Sequence, residues 1–125
     1  MPNVVFFEIC VDDLEAAAGF YSRVFGWNIE EAEDGSDSWL VTTGDDEDPG
    51  LPGALTSRFD ELNPTINTIE VESLDECAKV ITEAGGKVLA PQISIPGLGY
   101  VQYCHDLEGN AFAILEYDES VQEAD

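Results

Sequence analysis

The second half of this chain repeats the first at an offset of 60 residues. Ile9 falls on Ile69, Val11 on Val71, Leu14 on Leu74, Ala18 on Ala78 and Gly26 on Gly86; Phe6 falls on Ile66 and Asp12 on Glu72. The matches run through a strand, a helix start, a helix face and a helix stop, so the unit being repeated is a structural module rather than a short motif. With 125 residues there is room for one domain made of two such modules.

Local patterning assigns the elements. Val4 to Val11 reads as a strand with Phe6, Glu8 and Cys10 on one face and Phe7, Ile9 and Val11 on the other. Asp12-Asp13 supply N-cap chemistry for a helix from Leu14 to Phe25, with Leu14, Ala17, Ala18, Tyr21, Val24 and Phe25 as its apolar stripe. Gly26 is placed to end it in the left-handed conformation. Strands are expected at 27–31, 39–43 and 53–59, with an acidic Pro/Gly loop at 45–53. The pattern restarts with a strand at 65–71, Ser73 as a cap, a helix from Leu74 to Ala84 and Gly85-Gly86 as its stop. Strands at 87–92, 100–104 and 111–117 follow, separated by turns at 96–99 and 106–110. The expected fold is α+β: two tandem βαβββ modules, about 4–60 and 65–117, forming a curved mixed sheet with helices on the outer face and an open cleft, plus an acidic tail at 118–125. The cleft is the expected ligand site.

Charge narrows the partners. There are 27 Asp and Glu against four Lys and Arg, a net charge of −23. Nucleic-acid binding needs clustered cations to release phosphate counterions, whereas Arg23, Arg58, Lys79 and Lys87 are scattered. The same argument disfavours an anionic membrane surface, and no apolar run reaches the length of a membrane span. The N-terminus has neither a basic region nor a cleavage pattern, which reads as cytoplasmic. The 44% of apolar residues argue against disorder. A carboxylate-saturated surface with few lysines suits a salt-rich cytoplasm, so a halophilic protein is expected. Cys10, Cys77 and Cys104 form no paired motif and read as small buried apolar side chains.

The chain resembles the vicinal oxygen chelate superfamily, which includes glyoxalase I, bleomycin-resistance proteins and extradiol dioxygenases. The resemblance rests on the opening strand into Val11-Asp12-Asp13-Leu14-Glu15 and on Phe20-Tyr21-Ser22-Arg23-Val24-Phe25-Gly26-Trp27, closest to the glyoxalase-like branch. Gly85-Gly86 and Asp106-Leu107-Glu108-Gly109-Asn110 extend it over about residues 4–117. It implies a homodimer and a divalent metal held on the open sheet faces. Its ligand positions fall on Phe6, Ile66 and Ala113, and on Leu55 or Thr56. Phenylalanine, isoleucine and alanine cannot ligate a metal, and His105 is the single histidine, too few for a two-histidine iron site. No metal or other cofactor is therefore expected, and extradiol dioxygenase chemistry is disfavoured.

Period-2 alternation places Glu8 with Phe6 and Cys10, and Thr68 and Glu70 with Ile66, towards the cleft. Two carboxylates there could act as general bases or hold Mg²⁺ or Ca²⁺ in an all-oxygen site. His105, at a strand end, is a further acid/base candidate. The expected ligand-binding set is Phe6, Glu8, Cys10, Ile66, Thr68, Glu70, Tyr103 and Ala113, with Glu8, Glu70 and His105 as catalytic candidates. Two functions fit: a metal-free protein that binds a small, partly aromatic metabolite, or a glyoxalase-type lyase or isomerase working through cleft carboxylates or a non-standard divalent metal site.

Overall fold

A computed structural model of the chain describes residues 2–32, 36–45, 47–57 and 65–122. Arg58, the end of the strand expected to reach Phe59, Asp46 of the acidic loop, and residues 123–125 of the tail lie outside the described residues. The α+β class expected from the sequence is found, with two helices and mixed β-sheet among the described residues. Backbone contacts divide the chain into two units, Phe6–Ile66, and Asn67–Asp125 together with Met1–Val5.

The first unit holds β1 (Val4–Val11) from Phe6 onward, α1 (Leu14–Phe25), β2 (Asn28–Glu30), β3 (Ser38–Thr42) and β4 (Gly53–Ser57). β2 pairs antiparallel with β3 and β3 with β4, while β1 joins β4 in parallel. The crossover that a parallel pair requires includes α1. Asp13 starts the helix, its carboxylate accepting the Ala16 N–H at 3.1 Å, and Gly26 ends it at φ 73°. Beneath α1, Phe7 lies across Gly53, whose missing side chain leaves room for the ring: a Cβ there would clash with it. Tyr21 and Phe25 each stack on Trp27 with centroids 5.3 Å apart. The expected stripe of α1 holds only in part. Leu14, Ala17, Ala18 and Tyr21 are half-buried, but Val24 and Phe25 are exposed, as is Phe20. No residue of α1 is fully buried.

The second unit contains β5 (Thr65–Glu70) from Asn67 onward, α2 (Leu74–Glu83), β6 (Lys87–Val88), β7 (Ile93–Ile95), β8 (Gly99–His105) and β9 (Ala111–Tyr117). β5 and β9 pair in parallel; β8 pairs antiparallel with β9, β6 and β7. Ser73 caps α2 as expected, accepting the Glu76 N–H. The helix stops earlier than the offset predicts, at Ala84, and the left-handed residue is Gly85 (φ 98°). The repeat therefore keeps its register at the helix starts and loses it at the ends, because α2 is shorter than α1.

The single strand expected at 87–92 is two strands, β6 and β7. Pro91 lies between them and has no N–H for a ladder, which breaks the pairing. The module is thus βαββββ. Leu74, Cys104 and Ile114 form the buried centre under α2, with Val71, Cys77, Ile81 and Phe112 packed around it.

Candidate functional site

Strand register sorts the side chains of each unit between a helix-covered face and a helix-free one. In the second unit, Thr68 on β5 is opposite Ala113 on β9, and Ala113 is opposite Tyr103 on β8. Paired residues share a face, so Thr68, Ala113 and Tyr103 form one row across three strands. The neighbouring row runs Glu70, Leu115, Val101 and Ile93. His105 pairs with Ala111 and Lys87 on the same face. Thr68, Ala113 and Ile66 are buried, whereas Glu70, Tyr103 and His105 are half-buried. The His105 Nδ1 lies 2.9 Å from the carbonyl oxygen of its neighbour Asp106, at the start of the 106–110 turn.

In the first unit, Glu8 pairs with Ala54 and Cys10 with Thr56; across β3 these continue to Leu40 and Ser38. The Ser38 and Thr56 hydroxyls are hydrogen-bonded at 3.2 Å. Glu8 is 9% exposed and Cys10 3%, and both are engaged with partners. Phe6, half-buried, alternates with them along β1. Of the two positions considered on β4, Thr56 shares the Cys10 face, while Leu55 pairs with Ile9 and Trp39 on the opposite face. The sequence-derived candidates therefore fall into two sets, Phe6, Glu8, Cys10 and Ile66 in the first unit, and Thr68, Glu70, Tyr103, His105 and Ala113 in the second.

One carboxylate escaped the sequence reading. Glu116 alternates with Leu115 and so lies on the helix-covered face, where its carboxylate accepts the Leu74 N–H at 2.8 Å. Leu74 is the first residue of α2, so this anion satisfies a backbone donor that no intrahelical carbonyl reaches. The available signal was an acid out of step with the apolar residues of the last strand, in a module whose helix begins at Ser73.

Both thiols of the second unit are raised above the ordinary thiol range. Burial, reinforced by neighbouring Cys77, pushes the Cys104 thiol up to about 11, and burial also raises Cys77. A cavity of about 710 Å³ opens where β5 meets α2, bordered by Pro2, Glu70, Glu72, Glu76, Cys77 and Val80 among others. Glu70 is the one candidate residue that borders it. Among the described residues, no three His, Cys, Asp or Glu side chains group closely enough to hold a metal ion, and no helix is long and apolar enough to cross a membrane.

Residues 3–44 match the family model for the N-terminal part of bleomycin-resistance-like proteins. A glyoxylase-like domain-containing protein of Didymella fabae is 33% identical over 112 residues, covering 86% of this chain and 88% of that one. Similar solved structures include a hypothetical protein, BH1468, of Bacillus halodurans C-125 (TM-score 0.63, 14% identity, 98% of this chain and 99% of the other). Methylmalonyl-CoA epimerase of Mycobacterium tuberculosis is another (TM-score 0.61, 17% identity, 92% and 87%). At these identities the structures speak for the fold alone. The similarity to the Didymella protein over most of both chains, with the matched N-terminal segment beside it, establishes that this chain belongs to the glyoxalase-like family within the vicinal oxygen chelate superfamily.

Proposed function

We propose that this protein binds a small, partly aromatic, amine-bearing metabolite on the helix-free face of its sheet, without a transition metal. The observation that carries the reading is the registered row Thr68–Ala113–Tyr103 beside Glu70. It combines an apolar floor, an aromatic ring, a hydroxyl and a carboxylate. A ring can pack on Tyr103 and an ammonium group can meet the Glu70 carboxylate. The side chains of Phe6, Ile66 and Ala113 have no donor atoms, so these positions do not suit a metal.

A glyoxalase-type lyase or isomerase is the second reading. It is favoured by Glu8, a carboxylate buried on the corresponding strand face of the first unit. There it would serve as a base or as an oxygen ligand for Mg²⁺. A protein of similar fold, methylmalonyl-CoA epimerase of Mycobacterium tuberculosis, is itself an isomerising enzyme, which is compatible with this second reading.

The test is elemental analysis of chelator-free protein, followed by thermal-shift titration with benzylamine, benzoate and Mg²⁺. Benzylamine is expected to raise the melting temperature of the wild type, and Glu70→Gln and Tyr103→Ala are each expected to weaken that shift about tenfold in apparent Kd. Near-stoichiometric Ni, Zn, Fe or Mn would overturn the metal-free reading. A response to Mg²⁺ that Glu8→Gln abolishes would move the assignment to the second reading.

A further inference from the structure

We propose that Lys87 and His105 form a carboxylate-binding subsite at the edge of the second unit's helix-free face, so that the ligand carries an acid group beside its aromatic part. The inference deepens the ligand reading and rests on its placing of the ligand on this face. β6 and β8 set Lys87 directly opposite His105, and Ala111 on β9 completes the row. Opposed residues of an antiparallel pair have Cβ atoms about 4.5–5.5 Å apart. An ammonium group and an imidazole so placed can each meet one oxygen of the same carboxylate.

The sorting of charge on this face supports an anion there. Asp and Glu make up 27 of the 125 residues, yet the next row, Leu89, Tyr103, Ala113 and Thr68, contains neither. Asp106, which follows His105, turns its carboxylate into its own turn, where it accepts the N–H groups of Glu108 and Asn110. A lysine set against the single histidine therefore gathers positive charge where acids are held off. The ring is also oriented. The Asp106 carbonyl only accepts, so Nδ1 of His105 carries a hydrogen, and Nε2 is the nitrogen that a ligand can meet. An anion beside the ring favours the imidazolium, whose Nε2–H donates. Lys87 faces that ring from β6 and Tyr103 follows on its own strand, while β9 contributes Ala111 and Ala113. Two donors match the two oxygens of a carboxylate better than the several oxygens of a phosphate. Leu89, 40% exposed, and Tyr103 flank the pair with apolar surface for the body of the ligand.

The Glu70 row lies four residues along β8 and two strands away, roughly 16 Å from His105. That exceeds the Debye length of about 8 Å at 0.15 M salt, so the two ends of the face can be tested separately. The probe is sodium benzoate, which has no amine, titrated at about pH 6 in about 0.15 M salt and read by thermal shift and calorimetry. Benzoate is expected to raise the melting temperature of the wild type. Lys87→Gln and His105→Gln are each expected to weaken its apparent Kd about tenfold, and Lys87→Glu to abolish binding. Lys79→Gln removes the same charge from an exposed position on α2 and should leave the affinity unchanged. Lys87 is exposed, so its variants test the subsite even if His105→Gln disturbs the 106–110 turn. A wild type indifferent to benzoate overturns the proposal. So does equal weakening by Lys79→Gln, which would assign the effect to net charge, or a response to inorganic phosphate in place of benzoate. The benzylamine response and its loss in Glu70→Gln decide the earlier reading and leave this one to the benzoate titration.

Discussion

Replacing Glu116 by alanine should destabilise the protein although it removes no apolar packing. The carboxylate is half-buried on the helix-covered face of β9 and accepts the first N–H of α2 at 2.8 Å. Hydrogen bonds to charged groups contribute about 1.5–3 kcal/mol, and an anion at a helix N-terminus about 0.3–1 kcal/mol. The two figures overlap, because the donor belongs to the helix terminus itself. Partial exposure lets water replace some of the bond, so about 2 kcal/mol is expected. For a chain of this length that lowers the melting temperature by roughly 7 °C. Glu116→Gln keeps an acceptor oxygen and loses the charge, so it should cost about 1 kcal/mol. Glu119→Ala, an exposed acid in the following segment, is the control and should stay within about 0.5 kcal/mol of wild type. Urea unfolding followed by circular dichroism gives all three values. If Glu116→Ala falls within about 0.5 kcal/mol of wild type, the bond to Leu74 is not holding α2 on its sheet.

Gly99→Ala should cost more than about 3 kcal/mol, measured in the same unfolding assay, because Gly99 has φ 151° and a Cβ there would clash with the Glu116 carbonyl oxygen. The Asp106 carboxylate accepts N–H bonds from Asn110 and Glu108, which hold it below the usual aspartate range. Its folded-state pKa is lower than its unfolded one, so its contribution to stability is present above about pH 3.9 and is lost as pH falls through the folded value. Asp106→Asn should therefore unfold at lower urea than wild type near neutrality, and the gap should narrow below about pH 4. A gap that is constant down to about pH 2 would show that the turn does not depend on that charge.

The helix starts were legible because an N-cap is a local bargain between one side chain and one backbone donor. Asp13 and Ser73 could be read without knowing what the helices packed on. The outward side of α1 was not legible, because Ala16, Phe20 and Val24 make the helix apolar on more than one side. Periodicity could not decide which apolar side meets the sheet, and Val24 and Phe25 were assigned inward on that account. Pro91 was visible as a strand breaker, yet the apolar residues on both sides of it suggested continuity. The shortening of α2 depended on Ala84 and Gly85, a choice of stop that two adjacent glycines leave open in the sequence.

The same contrast governs the carboxylates. In a chain this rich in acids, an Asp or Glu carries little information until it is assigned to a face. Parity along a strand makes that assignment, and it separates Glu70, in the row of Leu115, from Glu116 one residue later along β9. Glu116 faces a helix that begins beside it, and its partner is a backbone N–H that the helix cannot satisfy alone. Glu70 shares the row of Leu115 and Val101 on the other face and borders the cavity where β5 meets α2. Structural use accounts for the first acid, and the second is the one we propose for a ligand, so alternation in a strand identifies candidates only after the helix ends have claimed theirs.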